Sequence, residues 1–143
     1  MTKVLLVNPK LPSLSREGIV IPTGLLWIAS YLKQNDCDIK IVNCHDQKNY
    51  KKIIKREINS SLYVGISVMT TQVNSALSIS DFVKEIDNSI PIVWGGIHPT
   101  LFPEQTLSGR SIDTVVVGDG EDSSLKLVNN FKKGVLYSEN FWM

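Results

Sequence analysis

Five short apolar runs recur along this chain, and four of them lead into a longer stretch with apolar residues at helical spacing. That alternation constrains the fold more than any other feature. The runs are KVLLVN (Lys3 to Asn8), CDIKIVN (Cys37 to Asn43), YVGISVM (Tyr63 to Met69), IPIVW (Ile90 to Trp94) and DTVVVG (Asp113 to Gly118). Each is four to eight residues long and rich in β-branched side chains, which suits a buried strand. Between them, Leu25, Ile28, Ala29 and Leu32 fall at i, i+3, i+4 and i+7, the stripe of an amphipathic helix. Pro22 and Thr23 suit its start. A second helix is predicted over Tyr50 to Asn59. The longest follows Thr71, with Val73, Ala76, Leu77, Val83 and Ile86 inward, and the last spans Glu121 to Lys133 with Leu125, Leu127, Val128 and Phe131 as apolar positions. A short helical piece is expected near Pro103 to Ser108.

Strand alternating with helix implies a parallel sheet covered on both faces. The expected fold is therefore α/β: a Rossmann-like, flavodoxin-like three-layer sandwich with five parallel strands in the order 2-1-3-4-5. The chain has 143 residues, enough for one domain with a core of its own. That domain is expected to span 1–133, with 134–143 as a tail whose Phe141 and Trp142 are apolar.

Bulk composition removes several function classes. The formal net charge is +1, and the one basic cluster, Lys48 to Arg56, carries Ile53 and Ile54 as a helix with a solvated lysine face would. Neither nucleic acid nor a membrane surface is expected as a partner. The N-terminus has only four consecutive apolar residues, too few for a signal peptide, and no run reaches the ~20 residues of a membrane span. The expected setting is cytoplasmic and reducing. Cys37 and Cys44 lack the spacing and the further ligands of a zinc or iron–sulfur site.

In an open parallel sheet, ligands bind beyond the carboxyl ends of the strands. The segments there hold much of the Gly, Pro, Ser and Thr of the chain: NPKLPSLSREGIVIPTG, SVMTTQ, GGIHPT and GDGE. Gly95 and Gly96 remove two Cβ atoms where backbone could lie against a ligand, although a tight turn also explains them. Ser67, Thr70, Thr71 and Gln72 offer polar groups, and either threonine also suits an N-cap. His98 precedes Pro99, which favours extended backbone for it; it is open to roles as ligand, acid–base group or turn residue. His45 reads as structural. Asp119 or Glu121 stands where a carboxylate favours a helix N-terminus. No G-x-G-x-x-G, P-loop or G-x-S-x-G signature is present.

Taken together, PTGLLWIASYL, VGISVMTTQ, VWGGIHPTLFPE and VVVGDGE resemble, in order and spacing, the N-terminal cobalamin-binding domain of radical S-adenosylmethionine (radical SAM) enzymes. The resemblance runs from Lys3 to about Phe131. It implies a domain that holds a corrin ring over its carboxyl edge, with the nucleotide tail in a slot beside the sheet. The family's Ser-x-Leu element falls on Ser67 and Met69, with Met in place of Leu, and its Gly-Gly element on Gly95 and Gly96. Cofactor-binding positions expected with it are Pro22, Thr23 and Gly24 at the upper rim, Ser67, Met69, Thr70, Thr71, Gly95, Gly96, His98, Gly118, Gly120 and Glu121. Many cobalamin domains carry Asp-x-His-x-x-Gly after the first strand. Here Asn8 to Gly24 contains no histidine, as is common in the radical branch, so no residue is nominated as a cobalt ligand. The radical branch continues into a barrel with a Cys-x-x-x-Cys-x-x-Cys cluster, which this sequence lacks. The chain alone is therefore not expected to be catalytic. An iron–sulfur cluster and S-adenosylmethionine are expected only in a separate catalytic domain, met in cis or in trans, for which the module would support methyl transfer. Two rivals remain at this stage. One is a binding or regulatory domain that has lost cobalamin and meets a protein or another small molecule. The other is a small enzyme pairing His98 with Asp119 or Glu121.

Overall fold

The computed structural model describes residues 1–12 and 20–135. The five predicted strands all form: β1 (Thr2–Asn8), β2 (Cys37–Asn43), β3 (Ser61–Ser67), β4 (Ile92–Gly95) and β5 (Thr114–Val115). They pair in parallel, as the alternation of the sequence implied, and in the expected order β2-β1-β3-β4-β5. The helices are α1 (Thr23–Gln34), α2 (Tyr50–Ile58), α3 (Val73–Ile86), α4 (Ile97–Leu101), α5 (Pro103–Leu107) and α6 (Glu121–Lys132).

Successive strand residues point to opposite faces, and two cores result. Leu5, Val7, Val64, Ile66, Ile92 and Trp94 pack with Ile54 and Ile58 of α2 and with Ala76, Ile79 and Val83 of α3. On the other face, Val4, Leu6, Tyr63 and Val93 pack with Leu25, Ala29 and Leu32 of α1 and with Leu127 and Val128 of α6. Among the described residues, no helix is long and apolar enough to cross a membrane.

Four local expectations are corrected. β3 ends at Ser67 rather than Met69. Val68 still donates its N–H to Gly95 O at 2.8 Å, but Met69 is 38% exposed and opens a 3₁₀ turn over Thr70–Gln72. β5 is only two residues long. Asp113 caps its start, its N–H bonding to Ile92 O while its carboxylate accepts Ile92 N–H at 2.7 Å. Neither Thr70 nor Thr71 caps α3; Gln72 occupies that position without a side-chain cap bond.

Lastly, His98 is not extended but helical, in α4. Pro99 is the third residue of that helix, where a backbone N–H has no intrahelical acceptor, so the ring removes no bond. α6 terminates at Gly134 (φ +71°), with Gly134 N–H bonding to Phe131 O and Val135 N–H to Asn130 O. The expected tail beyond Val135, with Phe141 and Trp142, lies outside the described residues.

Candidate functional site: a glycine-floored slot at the carboxyl edge

The register of the central strands sets up the site. Gly65 stands beside Val93 on one side and Leu6 on the other, and Ser67 stands beside Gly95. Tyr63, Gly65 and Ser67 alternate onto the face covered by α1 and α6. Towards the carboxyl edge that face carries Gly65, Ser67 and Gly95, so the sheet loses its side chains where the helices continue. The result is a cavity of about 220 Å³ between the sheet and the two helices. Gly65, Ser67 and Gly95 form its floor, and Trp27 and Ile28 of α1 form one wall. Gly96 and the Gly118–Glu121 turn edge its mouth, and Leu6, Tyr63 and Ser124 complete its lining.

The two adjacent glycines do different work. A Cβ on Gly95 would meet only Val116 Cβ, at an ordinary 3.7 Å, so the missing side chain there leaves space rather than relieving a clash. Gly96 has φ +101°, and a Cβ on it would lie 3.0 Å from Val68 N, 3.1 Å from Val68 O and 3.3 Å from Ser67 Oγ. That position needs glycine for the turn itself. Gly120 serves close approach of helices, since its Cβ would lie 2.7 Å from Ile28 Cδ1. The N–H of Gly118 donates to Thr100 Oγ1 at 3.0 Å, fixing the turn to α4.

Polar groups are few around the slot. Glu121 and Asp122 occupy the first turn of α6, where carboxylates complement the helix dipole. Asp122 accepts the Tyr31 hydroxyl at 2.7 Å and so ties α6 to α1. Tyr63 is 1% exposed, and its hydroxyl oxygen has no partner with hydrogen-bond geometry. Burial pushes its phenol above the usual range, partly offset by the nearby Ser124 side chain.

Of the nominated residues, Gly24, Ser67, Gly95, Gly96, Gly118, Gly120 and Glu121 line the slot. Pro22, Thr23, Met69, Thr70, Thr71 and His98 are not among its lining residues. His98 is buried against the Phe102 ring (centroids 5.3 Å apart), with Nδ1 3.2 Å from Thr70 Oγ1. Asp119 and Glu121 line the slot and His98 does not; the side-chain hydrogen bond of His98 is with Thr70 rather than with either carboxylate. His45 is structural, its Nε2 accepting the Leu11 N–H at 3.0 Å. Gln72, buried, takes the Met69 N–H on Oε1 and donates from Nε2 to Asn8 Oδ1 and Pro9 O, lashing the end of β1 to the turn after β3. Both cysteines are free and buried, and burial pushes the Cys44 thiol up to about 12. Among the described residues, no three His, Cys, Asp or Glu side chains cluster as a metal site.

Sequence reasoning missed Gly65, Tyr63, Trp27 and Ser124. A glycine in the middle of an otherwise β-branched run was the available signal for a close backbone approach. Ile28, on the predicted apolar stripe, packs against the core of that face and also lines the slot wall.

A parallel α/β module with such a slot beside its carboxyl edge has the architecture in which open sheets take up a ligand. The B12 binding domain family matches residues 9–128, and this chain belongs to that family. It is 31% identical over 140 residues to an uncharacterized methyltransferase of Pyrococcus horikoshii, covering 92% of this chain and 30% of that protein. It is 28% identical over 138 residues to the anaerobic magnesium-protoporphyrin IX monomethyl ester cyclase of Rubrivivax gelatinosus, covering 92% of this chain and 25% of that protein. The chain thus spans between a quarter and a third of these relatives. A response regulator receiver domain from Clostridium thermocellum shares the fold, with a TM-score of 0.65 at 16% identity over 96% of this chain and all of that one.

Proposed function

We propose that this chain holds a corrinoid of the cobalamin class, with the nucleotide tail in the slot and the corrin ring over the carboxyl edge. It does so for a radical SAM catalytic domain, in cis or in trans, that performs methyl transfer. The observation that carries this reading is the floor of the slot: Ser67 stands beside Gly95, with Gly65 two residues deeper, and a Cβ at 95 would make only ordinary contact, with Val116. A long, flat substituent fits a trough stripped of side chains, and a compact ligand would not need one.

Ser67 supplies a hydroxyl on the floor. Gly118, with nothing within 4 Å of its Cβ position, lets the backbone come close at the mouth. Gly24 sits at the head of α1 beside the opening, where nothing lies within 4 Å of its Cβ position. Trp27 (66% exposed) at the slot wall, with Ile97 (60%) and Leu101 (62%) outside the slot, gives the carboxyl edge an apolar rim suited to the face of a macrocycle or to a docking domain. When bound, the cofactor supplies cobalt chemistry for methyl carriage or electron transfer. His98 shapes the turn after β4 by its contacts with Thr70 and Phe102, and the reading assigns cobalt no imidazole from it.

Hydroxocobalamin added to the purified chain, followed by gel filtration, tests this. Corrin absorption should co-elute with the protein and show the spectrum of a displaced tail. A colourless protein peak would overturn the reading and favour a binding domain that has lost the cofactor.

A further inference from the structure

The buried hydroxyls of Ser80 and Thr106 are served. Ser80 Oγ donates to Ala76 O and accepts from Trp94 Nε1, and Thr106 Oγ1 donates to Phe102 O. Among the described residues Tyr63 stands apart: its buried hydroxyl oxygen has no partner with hydrogen-bond geometry, although the Ser124 side chain lies near it. Buried polar groups left so are rare and call for an explanation.

The position of the ring supplies one. Tyr63 lies four residues below Ser67 on the same face, roughly 13 Å deeper at about 3.3 Å per residue. It therefore closes the blind end of the slot. Phe131 holds the ring from one side, with centroids 5.6 Å apart at 54°. The ring leans towards the opening, since a Cβ on Gly65 would lie 3.4 Å from Tyr63 Cε2. Ser124 of α6, 7% exposed, lines the same cavity and brings a second hydroxyl. A phenol is protonated at neutral pH and burial pushes it further that way, so it stands as a donor.

We infer that Tyr63, with Ser124, reads the far edge of the base that ends a corrinoid's nucleotide tail, and selects a base bearing a hydrogen-bonding group there over one bearing methyl groups. This rests on the corrinoid reading above and adds the chemistry of the preferred tail. A methylated edge leaves the phenol unpaired, while a hydroxyl or ring-nitrogen edge pairs with it. Leaving a buried hydroxyl unpaired shifts an equilibrium by about tenfold.

The test uses the full 143-residue chain and two hydroxocorrinoids that differ only in the base, 5-hydroxybenzimidazole or 5,6-dimethylbenzimidazole. Dissociation constants should favour the hydroxylated base by about tenfold. Tyr63→Phe should erase that preference, mainly by weakening the hydroxylated ligand, with the free protein melting no lower than wild type. Ser124→Ala, on the facing wall, should reduce the preference as an independent check. Equal affinities in the wild type, or a preference that survives both substitutions, would overturn the inference while leaving the corrinoid reading intact. Uptake of neither ligand would instead remove the corrinoid reading, and this inference with it.

Discussion

Gly95 and Gly96 are neighbours in sequence, yet substituting them should produce opposite phenotypes. At Gly95 a Cβ meets Val116 Cβ at 3.7 Å, ordinary contact, and points into the slot. Gly95→Leu therefore places an apolar side chain in space that a ligand would otherwise fill. Fold stability should hold or rise slightly, because removing a glycine from a compatible backbone stabilises by about 0.4–1 kcal/mol. Binding should suffer, since forcing extra methylenes into filled space costs about 1–3 kcal/mol, a roughly 5- to 150-fold loss of affinity. Gly96→Ala meets φ +101° and the Val68 backbone at 3.0 and 3.1 Å, neither of which yields easily. Strain of that kind costs on the order of 1–3 kcal/mol of stability. Thermal melts and hydroxocobalamin titrations on both variants give four numbers. Wild-type affinity in a well-folded Gly95→Leu protein would refute the slot as the ligand's place.

Three other substitutions probe the frame around the slot. Gln72→Ala strips the partners of the Met69 N–H, Asn8 and Pro9; a loss of about 1–3 kcal/mol in urea unfolding is expected for the buried groups left unpaired. His98→Ala should lower the melting temperature by unseating α4, yet leave the visible spectrum of bound hydroxocobalamin unchanged; a spectral shift would make His98 a cobalt ligand after all. Glu57 is held below the usual carboxylate range, chiefly by its hydrogen bond with Lys3 and also by that with Arg56. Its folded form therefore resists protonation more than the unfolded chain does. The stability it contributes is full above the unfolded value near pH 4.3 and drains as pH falls through the folded one. Glu57→Gln should flatten that acid limb in melts taken from pH 6 to pH 3.

The sheet was legible because each strand was written as a short apolar run, and β2 matched its predicted limits, Cys37–Asn43, to the residue. Boundaries failed where local rules met tertiary bonds. The valines after Asp113 promised a longer strand, but only Thr114–Val115 forms, with β4 itself four residues long. The proline after His98 predicts extended backbone there, but tertiary bonding overrides that bias: the His98 N–H is held by Val68 O at 3.0 Å, and Pro99 falls in the first turn, where its missing N–H removes no helix bond. The mouth of the slot was legible as a concentration of glycine at strand ends. Its depth was not. Tyr63 and Ser124 lie 61 residues apart, and only the packing of α6 on β3 brings them to one cavity. Trp27 looked like one more apolar residue of α1, although it stands 66% exposed beside the opening.

The contrast between positions 95 and 96 reaches past this one protein. A side chain at 95 is a single nucleotide change away from any glycine codon, and the fold has no means of objecting to it. A lineage that stopped using its ligand would keep the second glycine to make its turn and would be free to let the first drift. Read across related genes, residue 95 is then a marker of use, and residue 96 merely a marker of architecture.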